Sequence, residues 1–317
     1  MNISILGLGY VGAVSLACLA RDGHHVIGVD IDPSKLDLIR QGRSPIIEAG
    51  MQELMQAVVS SGRVQVTDDP TFAVHHSFVC VGTRSLPNAS QDLRALERLS
   101  VQLGSALRSK TAFHVVVIRS TVLPGTVDER IGPILEAHSG KTLGRDFGLC
   151  FQPEFLREGS SIRDYDNPPF KVVGGDSDQA VALVRAVFAH LPGRFNVCSI
   201  RTAEMLKYAC NAFHALKITF ANEMGRLCQA LNIESHQVMD LVCQDTQLNI
   251  SPAYLRPGFA FGGSCLPKIC GRSVTSPRGA MCWSLCSSRS SAAIRSTSIT
   301  PSTWCSPAGC DQSACPA

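Results

Sequence analysis

Five short apolar runs punctuate the first part of the chain: Asn2-Ile3-Ser4-Ile5-Leu6, His25-Val26-Ile27-Gly28-Val29, Val64-Gln65-Val66, Ser77-Phe78-Val79-Cys80-Val81 and His114-Val115-Val116-Val117-Ile118. Stretches of helical period separate them, among them 92–107 and 125–138. Near-continuous apolar runs predict strands covered on both faces, and strands that alternate with helices predict a doubly wound α/β sheet. In such a sheet ligands lie beyond the carboxyl ends of the strands, which draws attention to Gly82-Thr83 and Arg119-Ser120-Thr121. A Ser or Thr placed there serves equally well as a helix cap. Further on, 202–231 predicts one long helix and 234–243 another.

The first strand runs into Gly7-Leu8-Gly9-Tyr10-Val11-Gly12, which opens a helix through about Arg21. Gly7 permits the tight turn, Gly9 lets a pyrophosphate approach the backbone, and Gly12 allows the helix to pack close to the strand. A glycine triplet alone is a weak signal, because a structural turn explains it too. The second strand, however, ends at Asp30, about twenty residues after the glycines, where a carboxylate binds ribose hydroxyls. Its charge would repel a 2′-phosphate, so the pattern predicts NAD and not NADP.

At the far end of the patterned sequence, Phe261-Gly262-Gly263-Ser264-Cys265-Leu266-Pro267-Lys268 presents one cysteine on a glycine-rich turn. A thiolate that adds to an aldehyde makes a tetrahedral adduct able to give up hydride, so a cysteine beside a nicotinamide suggests alcohol oxidation carried on to the acid. Lys268 favours the thiolate. Lys207 and Asn211 are spaced i,i+4 on the long helix and can face one site, although a helix lysine taken alone is usually a solvated side chain. Cys18, Cys80, Cys150, Cys198, Cys210, Cys228 and Cys243 lie in apolar segments and read as buried structural thiols.

Together these motifs resemble the nucleotide-sugar 6-dehydrogenases, the group of UDP-glucose and GDP-mannose dehydrogenases. The resemblance rests on Gly7 to Gly12, Cys80-Val81-Gly82-Thr83, the segment from Arg119 to Thr126, Pro153-Glu154-Phe155-Leu156-Arg157-Glu158-Gly159, Glu204-Met205-Leu206-Lys207-Tyr208 and Phe261 to Lys268. Asn211 to Lys217, Phe220 to Glu223 and Leu255 to Phe261 resemble the GDP-mannose members more than the UDP-glucose members. The resemblance implies an N-terminal Rossmann-like NAD-binding domain over 1–200 and a helical central region over 201–268 that forms a homodimer. It also implies a four-electron oxidation of a sugar C6 alcohol to a carboxylate, with Cys265 as nucleophile, Lys207 and Asn211 at the developing alkoxide, and Glu154 and Glu158 for water and substrate. Thr121 would lie near the nicotinamide, with Tyr10, Val11, Lys35, Thr83 and Lys268 also at the cofactor. His214, Asn222, Tyr254 and Arg256 would help hold the nucleotide-sugar. His214 alone reads as an ordinary helix histidine, and Ala253 stands where the GDP-mannose members lead one to expect a tyrosine.

After Lys268 the composition changes abruptly. Residues 269–317 contain six cysteines, both tryptophans, many serines, four arginines, no lysine and one acid, Asp311. Those four arginines less one acid equal the whole chain's formal charge of +3, so residues 1–268 sum to zero and the basic balance is no argument for nucleic acid. The cysteine spacings fit no standard zinc or disulfide frame. If 268–273 are encoded AAG ATC TGC GGG CGC TCA, one G restored after AAG gives Lys-Asp-Leu-Arg-Ala-Leu, the continuation the resembling family leads one to expect. The composition thus predicts a frameshifted, unfolded tail over 269–317, with Ile269 where an aspartate is expected and the family's C-terminal Rossmann-like domain missing. With no signal peptide or spanning run and many unpaired thiols, the sequence predicts a cytoplasmic protein without membrane or metal. Cys265 argues against a one-step dehydrogenase; a UDP-glucose dehydrogenase and a non-catalytic NAD-binding remnant stay open.

Overall fold

The computed structural model describes residues 1–72, 76–84, 86–87, 90–253 and 255. Two compact units divide the chain, Met1–Ala212 and Phe213–Ala317.

In the first unit the apolar runs form strands β1 (Asn2–Leu6), β2 (His25–Val29), β3 (Val64–Thr67), β4 (His76–Val79) and β5 (His114–Ile118). Three further strands, which the run-by-run reading leaves unassigned, complete the sheet: β6 (Phe147–Phe151), β7 (Phe170–Gly175) and β8 (Arg194–Cys198). Their order is β3-β2-β1-β4-β5-β6-β7-β8, and every neighbouring pair is parallel except β6 with β7. The order reverses between β1 and β4, and a crevice at such a switch point is where a doubly wound sheet takes its ligand.

Alternate residues of each strand face opposite sides, so the sheet carries two cores. Ile3, Ile5, Phe78, Val115 and Val117 pack on one side with α1 (Tyr10–Arg21), α2 (Pro33–Arg40), α3 (Met51–Ser60) and α7 (Asp178–Val187). Leu6, Val79, Val116, Ile118 and Phe151 pack on the other with α4 (Arg94–Leu107) and α5 (Gly132–Ser139). All of β5 is buried, which is why its run reads as unbroken hydrophobicity. Each large apolar side chain so buried contributes about 1.5–3 kcal/mol.

Two local departures from the predicted elements have physical causes. β4 ends at Val79, two residues early, yet the Cys80 amide still donates to Leu6 O at 2.7 Å. The helix expected over 125–138 opens as a widened π turn, Val127–Ile131, before α5 begins. Pro133 lacks the N–H that would bond to Glu129 O, so the regular ladder cannot run through this point.

Beyond β6 come α6 (Ser161–Asp166) and, after β8, the long helix α8 (Ile200–Leu231). The first turn of α8 packs on β7: a Cβ on Gly174 would lie 2.7 Å from the Ile200 Cα.

The second unit continues α8 into α9 (Ser235–Gln244). Asn232, at φ 56°, reverses the chain between them, and the Glu234 carboxylate accepts from the His236 amide at 2.9 Å to cap α9. Phe213, Leu216, Phe220 and Leu241 are exposed here, an apolar helical surface left in solvent. No helix among the described residues is long and apolar enough to cross a membrane, and none of their side chains cluster as metal ligands.

Candidate active site

Around the glycine turn, backbone geometry makes a cradle. Gly7 sits at φ +94°, a region L side chains rarely adopt, and its amide donates to Val29 O at 2.8 Å. A Cβ on Gly12 would fall 1.8 Å from Gly7 O, whereas a Cβ on Gly9 would meet nothing within 4 Å. Gly9 is the N-cap of α1 and no side chain caps it, nor does an acid occupy the first turn. Free amides and open space at a helix N-terminus fit a pyrophosphate.

Asp30 anchors this turn. Its carboxylate accepts from Leu8 N at 2.6 Å and Asp32 N at 3.0 Å, and Lys35 pairs with it at 3.3 Å. Asp30 and Lys35 thus meet beside the glycine turn, and the acid also organises the loop. Tyr10 donates to Glu48, a residue the motif reading does not single out. Val11 O accepts from Ser15 Oγ at 2.6 Å, and Ser15 Oγ in turn accepts from buried Arg119 at 2.6 Å. These residues therefore fit a dinucleotide with a free ribose diol and its diphosphate at α1.

Two of the strand-end threonines meet directly. Thr83 Oγ1 donates to Thr121 O at 2.6 Å, and Gln91 Nε2 bridges both, 3.1 Å from Thr83 Oγ1 and 2.6 Å from Thr121 O. Gln91 also accepts from Leu123 N at 3.2 Å, which stitches the loops after β4 and β5 into one floor.

Lys207 departs most from its isolated reading: it is 7% exposed, not solvated. Its ammonium donates to Glu154 Oε1 at 2.8 Å and Glu154 O at 2.6 Å, and lies 5.4 Å from the Phe155 ring centre. Glu154 Oε2 accepts from Leu156 N at 2.9 Å, so the carboxylate closes its own loop while it holds the lysine. Glu158, four residues on, is exposed and makes no hydrogen bond among the described residues. Asn211 follows Lys207 by one helical turn and is exposed. His214 and Asn222, in the second unit, are exposed. Tyr254, Arg256, Cys265 and Lys268 lie outside the described residues, as does the segment 269–317.

A buried acid that earned no role from its sequence position is Glu204. It is fully buried and accepts from Gly125 N at 2.7 Å and Val127 N at 2.9 Å. Burial raises its pKa against the lowering effect of those two amides. It serves as a remote cap for the helix that begins after Thr121, one helical turn before Lys207, and its place in a helical pattern carries no signal of that partner.

The cysteines divide differently from expectation. Cys18, Cys80, Cys150 and Cys228 are buried, but Cys198 and Cys210 are half-buried and Cys243 is exposed. Cys243 belongs to α9, which has no buried residue in its own unit, so apolar neighbours in sequence do not bury it. Burial pushes the Cys80 thiol up to about 11 and those of Cys18 and Cys150 up to about 12, which leaves them unreactive near neutral pH.

Comparisons with known proteins agree with this geometry. The UDP-glucose/GDP-mannose dehydrogenase family matches twice, with its NAD binding domain over residues 1–192 and its central domain over residues 201–271. GDP-mannose 6-dehydrogenase of Pseudomonas aeruginosa is 49% identical over 271 residues, which cover 84% of this chain and 62% of that protein. A UDP-glucose 6-dehydrogenase of Haloferax volcanii is 37% identical over 274 residues, 84% of this chain and 63% of its own length. The crystal structure of a ternary complex of GDP-mannose dehydrogenase from Pseudomonas aeruginosa superposes with a TM-score of 0.86 at 47% identity, covering 89% of this chain and 65% of that one. The chain thus spans about 62% of the length of the GDP-mannose relatives it matches. It belongs to the UDP-glucose/GDP-mannose dehydrogenase family, and its N-terminal domain is that family's NAD binding domain.

Proposed function

We propose that this chain derives from an enzyme that oxidises the C6 alcohol of a nucleotide-sugar to the carboxylate, with GDP-mannose as substrate and GDP-mannuronate as product. The observation that carries the reading is the buried ion pair of Lys207 and Glu154 just beyond the carboxyl end of β6. A domain that only bound a dinucleotide would have no need of a solvent-excluded cation and carboxylate there, whereas an alkoxide developing on a substrate does. NAD supplies the hydride acceptor when bound. The glycine turn and Asp30 hold its diphosphate and ribose, and Thr83 and Thr121 shape the floor.

Lys207 stabilises the alkoxide as the alcohol loses its proton, with Asn211 on the next turn as a second contact. Cys265 then adds to the aldehyde carbon, so that loss of a second hydride leaves a thioester, which water hydrolyses. Glu154 and Glu158 handle that water and the sugar. Overall the alcohol loses four electrons as two hydrides and takes up one water. His214, Asn222, Tyr254, Arg256 and Lys268 complete the substrate and cofactor contacts. The exposed Phe213, Leu216 and Phe220 support a homodimer, since an apolar helical face of that kind usually meets a partner.

The preference for GDP-mannose rests on 49% identity to its dehydrogenase against 37% to a UDP-glucose enzyme. A second reading, an NAD-binding remnant without turnover, is favoured by Ile269, which stands where the family resemblance leads one to expect an aspartate. NADH formation by the purified chain with GDP-mannose, UDP-glucose or no sugar decides among these. We expect sugar-dependent NADH with GDP-mannose from any active form, two per sugar, and no acid formation with Cys265→Ser. Acid formation at an undiminished rate by that variant would exclude covalent catalysis at Cys265.

A further inference from the structure

Glu48 lies in the connection between α2 and α3, far in sequence from both the glycine turn and the 153–159 segment, yet its carboxylate joins them. Oε2 accepts from the Tyr10 hydroxyl and from Gly159 N at 2.8 Å, and Oε1 accepts from Ser161 N at 3.0 Å. The Tyr10 hydroxyl also lies 3.4 Å from Arg157 O. Glu48 is itself fixed, because its carbonyl accepts from Met51 N at 3.2 Å where α3 begins.

Tyr10 is the first residue of α1, directly after Gly9. A ligand that fills the open space over Gly9 therefore orders the residue that carries one end of the tie. At the other end Glu158 and Gly159 are exposed, and Gly159 sits at φ +84°. Glu158 makes no hydrogen bond of its own among the described residues; Arg157 before it is held by Asp164 through its amide at 3.0 Å and its guanidinium at 2.7 Å, and the Gly159 and Ser161 amides after it are held by Glu48. The three donors, with Tyr10 first, also hold the Glu48 carboxyl below the usual carboxylate range. A carboxylate is the right group here, since both oxygens must accept and neither is free to donate.

We propose that Glu48 is a positioning residue that couples dinucleotide occupancy at the N-terminus of α1 to the placement of the turn bearing Glu158. The coupling rests on the reading of 153–159 as a site segment. Occupancy restrains Tyr10, Tyr10 restrains Glu48, and Glu48 restrains the two amides. By reciprocity, a well-placed turn tightens dinucleotide binding by the same factor.

Amide exchange tests this without turnover. Rates at Gly159 and Ser161 are measured on the whole chain with and without saturating NAD, and NAD affinity is measured separately by titration. In the unmodified chain NAD should slow both amides about tenfold. In Glu48→Gln one carboxylate oxygen becomes an NH2 that cannot accept, so NAD should still bind while the slowing collapses toward none. Glu48→Ala should do the same, and the isosteric Gln variant serves if the Ala variant fails to fold. A purely structural Glu48 would raise the exchange rates of free and bound states alike and leave their ratio intact. That result would overturn the proposal, as would NAD binding to the unmodified chain with no change at either amide. Failure of the unmodified chain to bind NAD would show in the titration and remove the cofactor reading together with the coupling built on it.

Discussion

Lys207 and Glu154 are 9% and 10% exposed at their side chains, and each is the other's charge partner. Removing one member leaves a lone charge in a site closed to water, which costs about 3–5 kcal/mol, whereas removing both leaves no orphan. Lys207→Met should therefore lower unfolding stability by about 3 kcal/mol, and adding Glu154→Leu should recover part of that loss. Urea unfolding of the two single variants and the double variant measures the coupling; strictly additive effects would mean that the pair is not coupled. The sequence places Lys207 on a helix but not beneath a surface, because its partner is 53 residues away. Glu204 and Glu48 were illegible for the same reason: each acts on backbone amides from distant elements, and an amide leaves no mark in a sequence.

Elements were easier to read where one physical cause dominates. β1, β2 and β5 follow from near-continuous apolar runs, and α1 follows from the glycine turn and a pattern so apolar that Gly12 through Ala20 are all buried. Strands β6 to β8 carry no glycine signature, and β8 is a half-exposed edge strand, so propensity alone does not separate it from a loop. Within the glycine turn the three positions make different demands. Gly12→Ala would drive a Cβ to 1.8 Å from Gly7 O and should unfold or distort the domain. Gly9→Ala meets nothing within 4 Å, so the protein should keep its thermal midpoint while the methyl fills the space a pyrophosphate needs. NAD titration with a melting curve separates the two, and Gly9→Ala with undiminished NAD affinity would move the dinucleotide elsewhere. Asp30 adds a second check at this element: with its carboxylate already accepting two amides and no arginine just after it, NADP should bind more weakly than NAD.

At the scale of the whole molecule, the family match and the change of composition fall almost together. The central domain matches to residue 271, and lysine vanishes after Lys268 while cysteine and serine crowd in. We propose a frame change at this point: with the codons assumed above, one restored G after the Lys268 codon gives Lys-Asp-Leu-Arg-Ala-Leu, with an acid at the place of Ile269. The glycine turn, Asp30, Lys35 and the floor of Thr83 and Thr121 all lie in the first unit. Under the proposed mechanism oxidation also needs Cys265 and, by the family resemblance, an acid at the place of Ile269. The chain as given should therefore bind NAD and produce little or no NADH with GDP-mannose, whereas a chain expressed from the repaired frame should turn over. Resequencing the gene across the Lys268 codon establishes whether the base is absent, and parallel assays of the two chains establish whether its absence matters. Equal turnover by both would mean that residues 269–317 are a working replacement for the sequence found in the relatives, and that the loss of pattern after Lys268 reflects a different structure and not a lost frame.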